Sequence, residues 1–561
     1  MTLQSQQKPA EHPWLDSYPE GIDPEPVLRH ASLVEAWDDR VARLPHSVLI
    51  RYFDGELSTA QVDMASDALA SALQDMGAAK GDRIGVYLQS VPHYVVILLA
   101  LWKLGAVAVP LNPMYRGAEL RRLVDDCAPK GLFVAHADAA ETETTLASSS
   151  TSWLIGVDAA DFQTRNDPRV DWGESASVLT DLAELVTRYD GRRPRRATVG
   201  PDDLALLCYT SGTTGPAKGA MNSHGNVLHS AVNFGAWADI GDADVVLGIA
   251  PLFHISGVIL NAATAVFNDA ALVLVGRYQP ELVLQAFAEH GVTFTIGSIT
   301  AFNALMSLPH ASADHFQSIR LLYSGGAPIP PATVEAFQER FGHYIHNVWG
   351  MTETTAGGIA VPPGQQARVH AASGTLSVGI PTPGAVVRVV GLDGNAVPAD
   401  TPGELEFAAP QVISGYWQKP EATAAALPGG RLRTGDVAVV DDDGWIYLVD
   451  RLKDQINTSG YKVWPREVED VLYEHSAVFE AAVVGEPDEY RGETVVAYVS
   501  LKTGATVTTD ELMTFAGERL AAYKRPRRVH LLDELPKTAT GKLRRQEVRG
   551  LGLSASDGRA R

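Results

Sequence analysis

Between Tyr209 and Gly219 the chain reads Tyr-Thr-Ser-Gly-Thr-Thr-Gly-Pro-Ala-Lys-Gly. Four hydroxyls (Thr210, Ser211, Thr213, Thr214), three glycines (Gly212, Gly215, Gly219) and one cation, Lys218, share this short stretch. Glycines let backbone N–H groups converge on an anion, hydroxyls donate further bonds, and the lysine adds a point charge. The apolar run Leu204–Tyr209 predicts a strand feeding the loop. The chemistry is that of phosphate binding. The Walker A pattern is excluded, because it needs four residues between its glycines and a Gly-Lys-Ser/Thr ending. Here two residues separate Gly212 from Gly215, and Lys218 precedes Gly219. The loop therefore predicts a nucleoside triphosphate site of another kind. A flexible Gly/Ser linker would need neither the lysine nor the preceding strand.

Four further segments could do chemistry. Asn347-Val-Trp349-Gly350-Met-Thr352-Glu353 sets a ring, a hydroxyl and a carboxylate close together. A ring stacks on a purine, a hydroxyl bonds a phosphate and a carboxylate holds Mg²⁺. Arg433-Thr-Gly-Asp436 puts a carboxylate on a turn, where it can accept from vicinal ribose hydroxyls; turn formation alone is the simpler reading. Asp450-Arg451-Leu-Lys453-Asp454, followed by Ser459-Gly460-Tyr461-Lys462, reads as a hinge and a loop that approaches a ligand, or as a polar linker and a turn. Pro536-Lys-Thr-Ala-Thr-Gly541-Lys542-Leu-Arg544 would present a cation from an exposed loop.

The elements that must position these residues follow from periodicity. Strand-like and helix-like runs alternate through most of the first 410 residues: Arg83–Leu88, Tyr94–Leu104, Ala106–Pro110 and Glu119–Asp126 are a strand, a helix, a strand and a helix. Alternation predicts stacked α/β layers. Val386–Phe407 reads as short strands split by Asp393-Gly394 and Pro402-Gly403, and Asp441–Gly444 signals another hairpin, so a small antiparallel region is expected. After Asp454 come a helix (Pro465–Glu474), two strands (Val478–Val484, Glu493–Leu501), a helix (Thr509–Leu520) and a strand (Arg528–Leu532). The expected fold class is α/β: a large N-terminal body, residues 1–449, a hinge at 450–453, and a small mobile α+β C-terminal lid domain, residues 454–561. Met1–His12 and Leu553–Arg561 read as disordered ends.

Composition narrows the partners. The net charge of −21 lies almost wholly before Asp454, which argues against nucleic acid. Two cysteines, Cys127 and Cys208, fit a reducing compartment, and a polar start offers no signal peptide, so a cytoplasmic protein is expected. The best membrane candidate, Val95–Trp102, stops at Lys103, far short of the roughly 20 residues a span requires; peripheral membrane contact stays open, as does monomer or homodimer. The cluster Lys524, Arg525, Arg527, Arg528 reads equally as a local anion site or a solvated edge.

In this order the segments resemble the adenylate-forming superfamily, which includes acyl-CoA synthetases, adenylation domains and beetle luciferases. The resemblance runs from about Leu33 to Arg549, and the opening Pro13–Gly21 looks like bacterial medium- and long-chain fatty acyl-CoA synthetases. It implies ATP, Mg²⁺ and coenzyme A as partners of a small carboxylic acid. By this resemblance Thr210, Ser211, Gly212, Thr213, Thr214, Gly215 and Lys218 hold the phosphates. Asn347 bonds adenine, Trp349 stacks on it, Gly350 also belongs to the nucleotide site, and Gly326 and Ala327 form its other wall. Thr352 contacts the α-phosphate, Glu353 binds Mg²⁺, and Asp436 takes the ribose with Arg451 beside it. Lys542 bridges the acid and the α-phosphate, Lys453 is the pivot, and Gly460, Tyr461 and Lys462 line the thiol's path. Two departures stand out: Trp349 where most relatives have tyrosine, losing its hydroxyl bond, and Ala217 where a proline is common.

His254, in Phe253-His-Ile-Ser256, occupies the place where amino-acid-activating relatives carry an aspartate, so an amino acid substrate is disfavoured. His254 is expected to gate the path between the acyl and thiol sites, or to be a hydrogen-bonded, half-buried histidine. With Ile255, Gly257, Val258, Ile259, Ser298–Phe302 and Gly325-Gly326 around it, the acyl pocket is expected to be apolar and to take a hydrophobic monocarboxylic acid. The implied reaction is acyl-AMP formation with release of pyrophosphate, then acyl transfer to coenzyme A. Transfer to a carrier protein or an amine, luciferase-like oxidation, and a catalytically silent nucleotide-binding relative are the alternatives.

Overall fold

The computed structural model describes residues 12–169, 179–210, 217–391, 393–451, 454–458, 461–488, 490–538 and 543–557. Among these the strands form four sheets, of seven, nine, four and five strands. The fold is mixed α/β, with a large N-terminal body and a smaller C-terminal domain.

In the seven-stranded sheet, parallel strands Gly131–Ala135, Arg83–Tyr87, Val107–Pro110 and Leu204–Tyr209 lie side by side, and Gly219–Ser223 closes that edge antiparallel to Leu204–Tyr209. The nine-stranded sheet sets Phe294–Gly297, Leu321–Gly325 and Ile345–Met351 parallel, followed by antiparallel Ala356–Ala360. Strands this apolar suit sheets covered on both faces. The apolar stretch weighed as a membrane segment is the helix Pro92–Lys103, every residue of which is buried in the protein core. Its terminal Lys103 ammonium is held at 2.7 Å each by Asp63, Asp67 and Ser66, so the buried charge is paired. No described helix is long and apolar enough to cross a membrane.

The expected antiparallel region is a four-stranded sheet, Val386–Val390, Gly403–Ala408, Leu432–Val440 and Ile446–Arg451. Its last strand runs through Asp450 and Arg451, which pair with Val437 and Asp436, so half of the expected hinge segment is strand. Leu452 and Lys453 lie outside the described residues.

The C-terminal region has its own apolar clusters, one around Ile456, Val468, Val483, Val499 and Leu512, another around Val484, Val496, Leu535 and Val548. The expected helices and strands are present as Pro465–Tyr473, Val478–Asp488, Gly492–Leu501, Thr509–Arg519 and Arg528–Leu531. Two elements lie beyond the sequence expectations: the hairpin Ile456–Thr458 with Tyr461–Val463, and the helix Arg545–Asp557. That helix corrects the expectation that disorder begins at Leu553. The basic cluster is engaged within this region: Lys524 pairs with Glu467, Arg528 with Glu486 at 2.6 Å, and Arg525 and Arg527 donate to the carbonyls of Leu520 and Ala522.

Candidate active site

Parallel strands aim their carboxyl ends at one crevice, where α/β sheets bind ligands. Here Gly297, Gly325 and Met351 end three adjacent strands of the large sheet. Beyond them lies a cavity of about 310 Å³. Its walls are Ile249, Ile255, Leu260, Tyr278, Ile296 and Ala304 among others, with Gly325, Gly326, Gly350 and Thr352 at the strand-end side. Among the described residues the lining holds no Asp, Glu, Lys or Arg.

His254 faces this cavity half-buried. Ser256 N–H donates to its Nδ1 at 3.3 Å and the Ser256 hydroxyl lies 2.7 Å away. A backbone donor aimed at Nδ1 suits that nitrogen as an acceptor. The segment then continues as a π-helix, Gly257–Ala263, a distortion often found at functional sites. It also corrects two expectations. Val258, Ile259 and Gly257 are buried but do not line the cavity; that face is Ile255, Ser256 and Leu260. From the neighbouring helix, Ser298, Thr300 and Ala301 line it, whereas Phe302 packs into the core. Tyr278, which no spacing singles out, forms part of the wall, its hydroxyl donating to the Ala301 carbonyl at 2.7 Å.

The Asn347–Thr354 segment is a strand end and a turn. Asn347 and Trp349 are both buried; the Asn347 amide donates to the Ser377 carbonyl at 3.1 Å. Trp349 packs on Phe407 and its indole N–H donates to Asp436 Oδ2 at 2.9 Å. The indole thus supplies a polar bond at the position where the resemblance implies the loss of a tyrosine hydroxyl. Asp436 is 87 residues away in sequence, and its own backbone N–H is held by the Thr434 hydroxyl at 3.1 Å. Gly350 is required by close approach: a Cβ there would lie 1.6 Å from the Ala356 carbonyl oxygen. Thr355 and Ala356 carry positive φ, 48° and 78°, a strained conformation for side-chain-bearing residues and a mark of functional turns. Asn222 braces that turn, its amide donating to the Thr352 carbonyl at 3.2 Å and the Thr355 hydroxyl at 2.9 Å.

Glu353 is buried, and its Oε1 accepts from the Tyr416 hydroxyl at 2.6 Å. Burial and the adjacent carboxylate both push the Tyr416 phenol well above its ordinary pKa, so it stays a donor. Lys218 Nζ stands 4.8 Å from the centre of the Tyr416 ring. Thr210 and Lys218, which flank the segment expected to bind phosphate, are bonded to each other: Thr210 N–H donates to the Lys218 carbonyl at 2.9 Å, and Lys218 N–H to the Thr210 hydroxyl at 3.2 Å. Ser211, Gly212, Thr213, Thr214 and Gly215 lie outside the described residues, as do Gly460 and Lys542. Gly326, at φ 81°, and Ala327 follow the strand Leu321–Gly325. Tyr461 and Lys462 sit on the short strand Tyr461–Val463, and the exposed Tyr461 ring stacks on Tyr523 at 4.7 Å.

The donor chemistry fits magnesium. Among the described residues no cluster of three or more His, Cys, Asp or Glu side chains could hold a metal. One buried carboxylate, Glu353, suits an ion that keeps its waters and borrows substrate phosphates.

Residues 37–417 match the AMP-binding enzyme family, and residues 467–542 match the AMP-binding enzyme C-terminal domain. The chain is 33% identical over 515 residues to a feruloyl-CoA synthase of Amycolatopsis sp, covering 92% of this chain and 98% of that protein. It is 32% identical to a long-chain-fatty-acid–CoA ligase of Bacillus subtilis (strain 168), covering 96% and 98%. A solved anthranilate CoA ligase in complex with anthranoyl-AMP superimposes with a TM-score of 0.86 at 25% identity, covering 95% and 99%.

Proposed function

From the premise that this chain belongs to the AMP-binding enzyme family and is an AMP-forming acid–CoA ligase, we propose that its acid is a hydrophobic monocarboxylate. The observation that carries this is a cavity lining that holds no charged side chain among the described residues. A second carboxylate or an ammonium placed there would be buried without a partner, at a penalty of several kcal/mol. Among the described residues His254 is the one imidazole in the lining. A cavity of about 310 Å³ is roughly twice the engineered 150 Å³ cavity that binds benzene. Aryl-alkanoic, aryl-alkenoic and medium-chain acids fit that volume.

The residue roles follow as part of the proposal. Thr210, Lys218 and the loop between them hold the phosphates, Asn347, Trp349 and Gly326-Ala327 enclose adenine, and Asp436 takes the ribose. Glu353 would hold Mg²⁺, which would supply charge neutralisation at the phosphates. The substrate carboxylate and the α-phosphate repel each other, so a cation is needed where they meet; Lys542 fills that place. Lys453 is the pivot between body and lid, and the Gly460–Lys462 loop guides coenzyme A.

The test is pyrophosphate release and thioester formation across aryl, medium-chain, long-chain, dicarboxylic and amino acids, with and without coenzyme A. Thioester formation from aryl or medium-chain monocarboxylates is expected. Preference for a dicarboxylate or an amino acid would overturn the reading.

A further inference from the structure

We propose that Tyr416 is a positioning residue that couples the two charged groups of the phosphate site: its hydroxyl orients the Glu353 carboxylate for a divalent cation, and its ring seats the Lys218 ammonium. This rests on the roles proposed above for Glu353 and Lys218.

Tyr416 is clamped between the two segments it would couple. On one side, the backbone N–H of Met221 donates to the Gly415 carbonyl at 3.0 Å, and that of Trp417 to the Gly219 carbonyl at 2.8 Å. These bonds tie Gly415–Trp417 to the strand that leaves the phosphate loop. On the other, Ile413 N–H donates to the Glu353 carbonyl at 3.0 Å, tying the same stretch to the strained turn. Lys218 and Glu353 are thus set relative to each other through one side chain.

The partner chosen by the phenol is informative. Tyrosine hydroxyls elsewhere divide: Tyr323 bonds the Val361 carbonyl at 2.7 Å, whereas Tyr447 bonds the Asp441 carboxylate at 2.8 Å and Tyr498 the buried Glu486 carboxylate at 2.6 Å. Tyr416 spends its proton on the buried Glu353 carboxylate at a short 2.6 Å, and is set apart by having the Lys218 ammonium over its ring as well. The bond engages Oε1 and fixes the carboxylate plane, as outer-shell partners of metal ligands do. The same ring presents its negative face to Lys218 within the cation–π range. The two functions use different parts of the side chain, so they can be separated.

Tyr416→Phe removes the hydroxyl and keeps the ring; Tyr416→Leu removes both. Mn²⁺ binding is titrated in the presence of ATP, without any carboxylic acid, by loss of the free-ion electron paramagnetic resonance signal. ATP binding is measured again in EDTA, and folding is checked by thermal melting. Tyr416→Phe is expected to weaken Mn²⁺ about tenfold while leaving ATP binding in EDTA and inhibition by inorganic pyrophosphate unchanged. Tyr416→Leu is expected to weaken Mn²⁺ and pyrophosphate together. Unchanged Mn²⁺ binding by the Phe variant would overturn the orienting role, as would an equal loss with and without metal. Unchanged pyrophosphate inhibition in the Leu variant would overturn the role toward Lys218. Glu353→Gln serves as the reference: if it binds Mn²⁺ with ATP normally, the metal assignment itself fails, and the two failures are told apart.

Discussion

Trp349 carries two duties with one side chain. Its ring packs against Phe407, and its N–H holds Asp436 from across the crevice. A hydrogen bond to a buried ionised group is worth about 1.5–3 kcal/mol, or roughly ten- to hundredfold in affinity. Tyr416 and Asn222 act the same way, as braces for Glu353 and Thr352. We expect Trp349→Phe to raise the KM for ATP at least tenfold and to leave the KM for the acid unchanged, because the stacking face survives while the indole N–H bond to Asp436 is removed. Steady-state kinetics with ATP and acid varied separately checks this; an unchanged KM for ATP would remove Asp436 orientation from the account. The motif residues themselves are legible, since a ring, a hydroxyl and a carboxylate in tight spacing suggest nucleotide chemistry. The braces are not. Tyr416 follows a glycine turn with nothing in its spacing to mark it, and the partners of Trp349 and Glu353 lie 87 and 63 residues away.

At the scale of elements, long apolar periodicities are legible and short or crowded ones are not. Arg83–Tyr87, Pro92–Lys103, Val107–Pro110 and Gly117–Cys127 appear in the expected order and within two residues of their expected bounds. The three-residue strands flanking Gly460 escape a sequence reading because neither is long enough for alternation to register. The correction at Val258 has a similar source: an α-helical period is the natural assumption where the backbone runs as a π-helix, which rotates the lining face onto Leu260. Around the hinge segment, spacing hides a charged junction. Arg545 lies within 3.6 Å of Asp450, 3.7 Å of Asp454 and 2.6 Å of Glu469, and Arg466 donates to the Leu448 carbonyl at 2.9 Å. Body strand and C-terminal helices meet there through buried charges that a sequence reads only as polar.

Across the whole molecule, buried titratable groups divide by region. In the body, burial lowers His224, His229 and His346 from 6.5 to about 4. Below pH 6.5 the unfolded chain binds protons that the folded body refuses, so their stabilisation is full above 6.5 and is lost as pH falls toward 4. Each can cost about 3 kcal/mol when fully displaced. In the C-terminal domain burial raises Asp470 to about 6, and raises Glu480 as well. That stabilisation is full below the ordinary carboxylate range and is lost as pH rises through the folded value. Acidification from pH 6.5 to 5 should therefore loosen the body more than the C-terminal domain. Hydrogen exchange resolved by peptide at the two pH values, corrected for the intrinsic rate, measures it; a uniform change across both regions would contradict the division.

The central claim is that the acid's chain enters a pocket with no charged side chain among the described residues, and a matched pair of substrates tests it most directly. Octanoate and octanedioate differ by one terminal carboxylate on the same carbon chain. With ATP, magnesium and coenzyme A saturating, kcat/KM for octanoate is expected to exceed that for octanedioate by more than about a hundredfold, reflecting several kcal/mol for an unpaired buried carboxylate. Equal values, or a preference for octanedioate, would contradict the account.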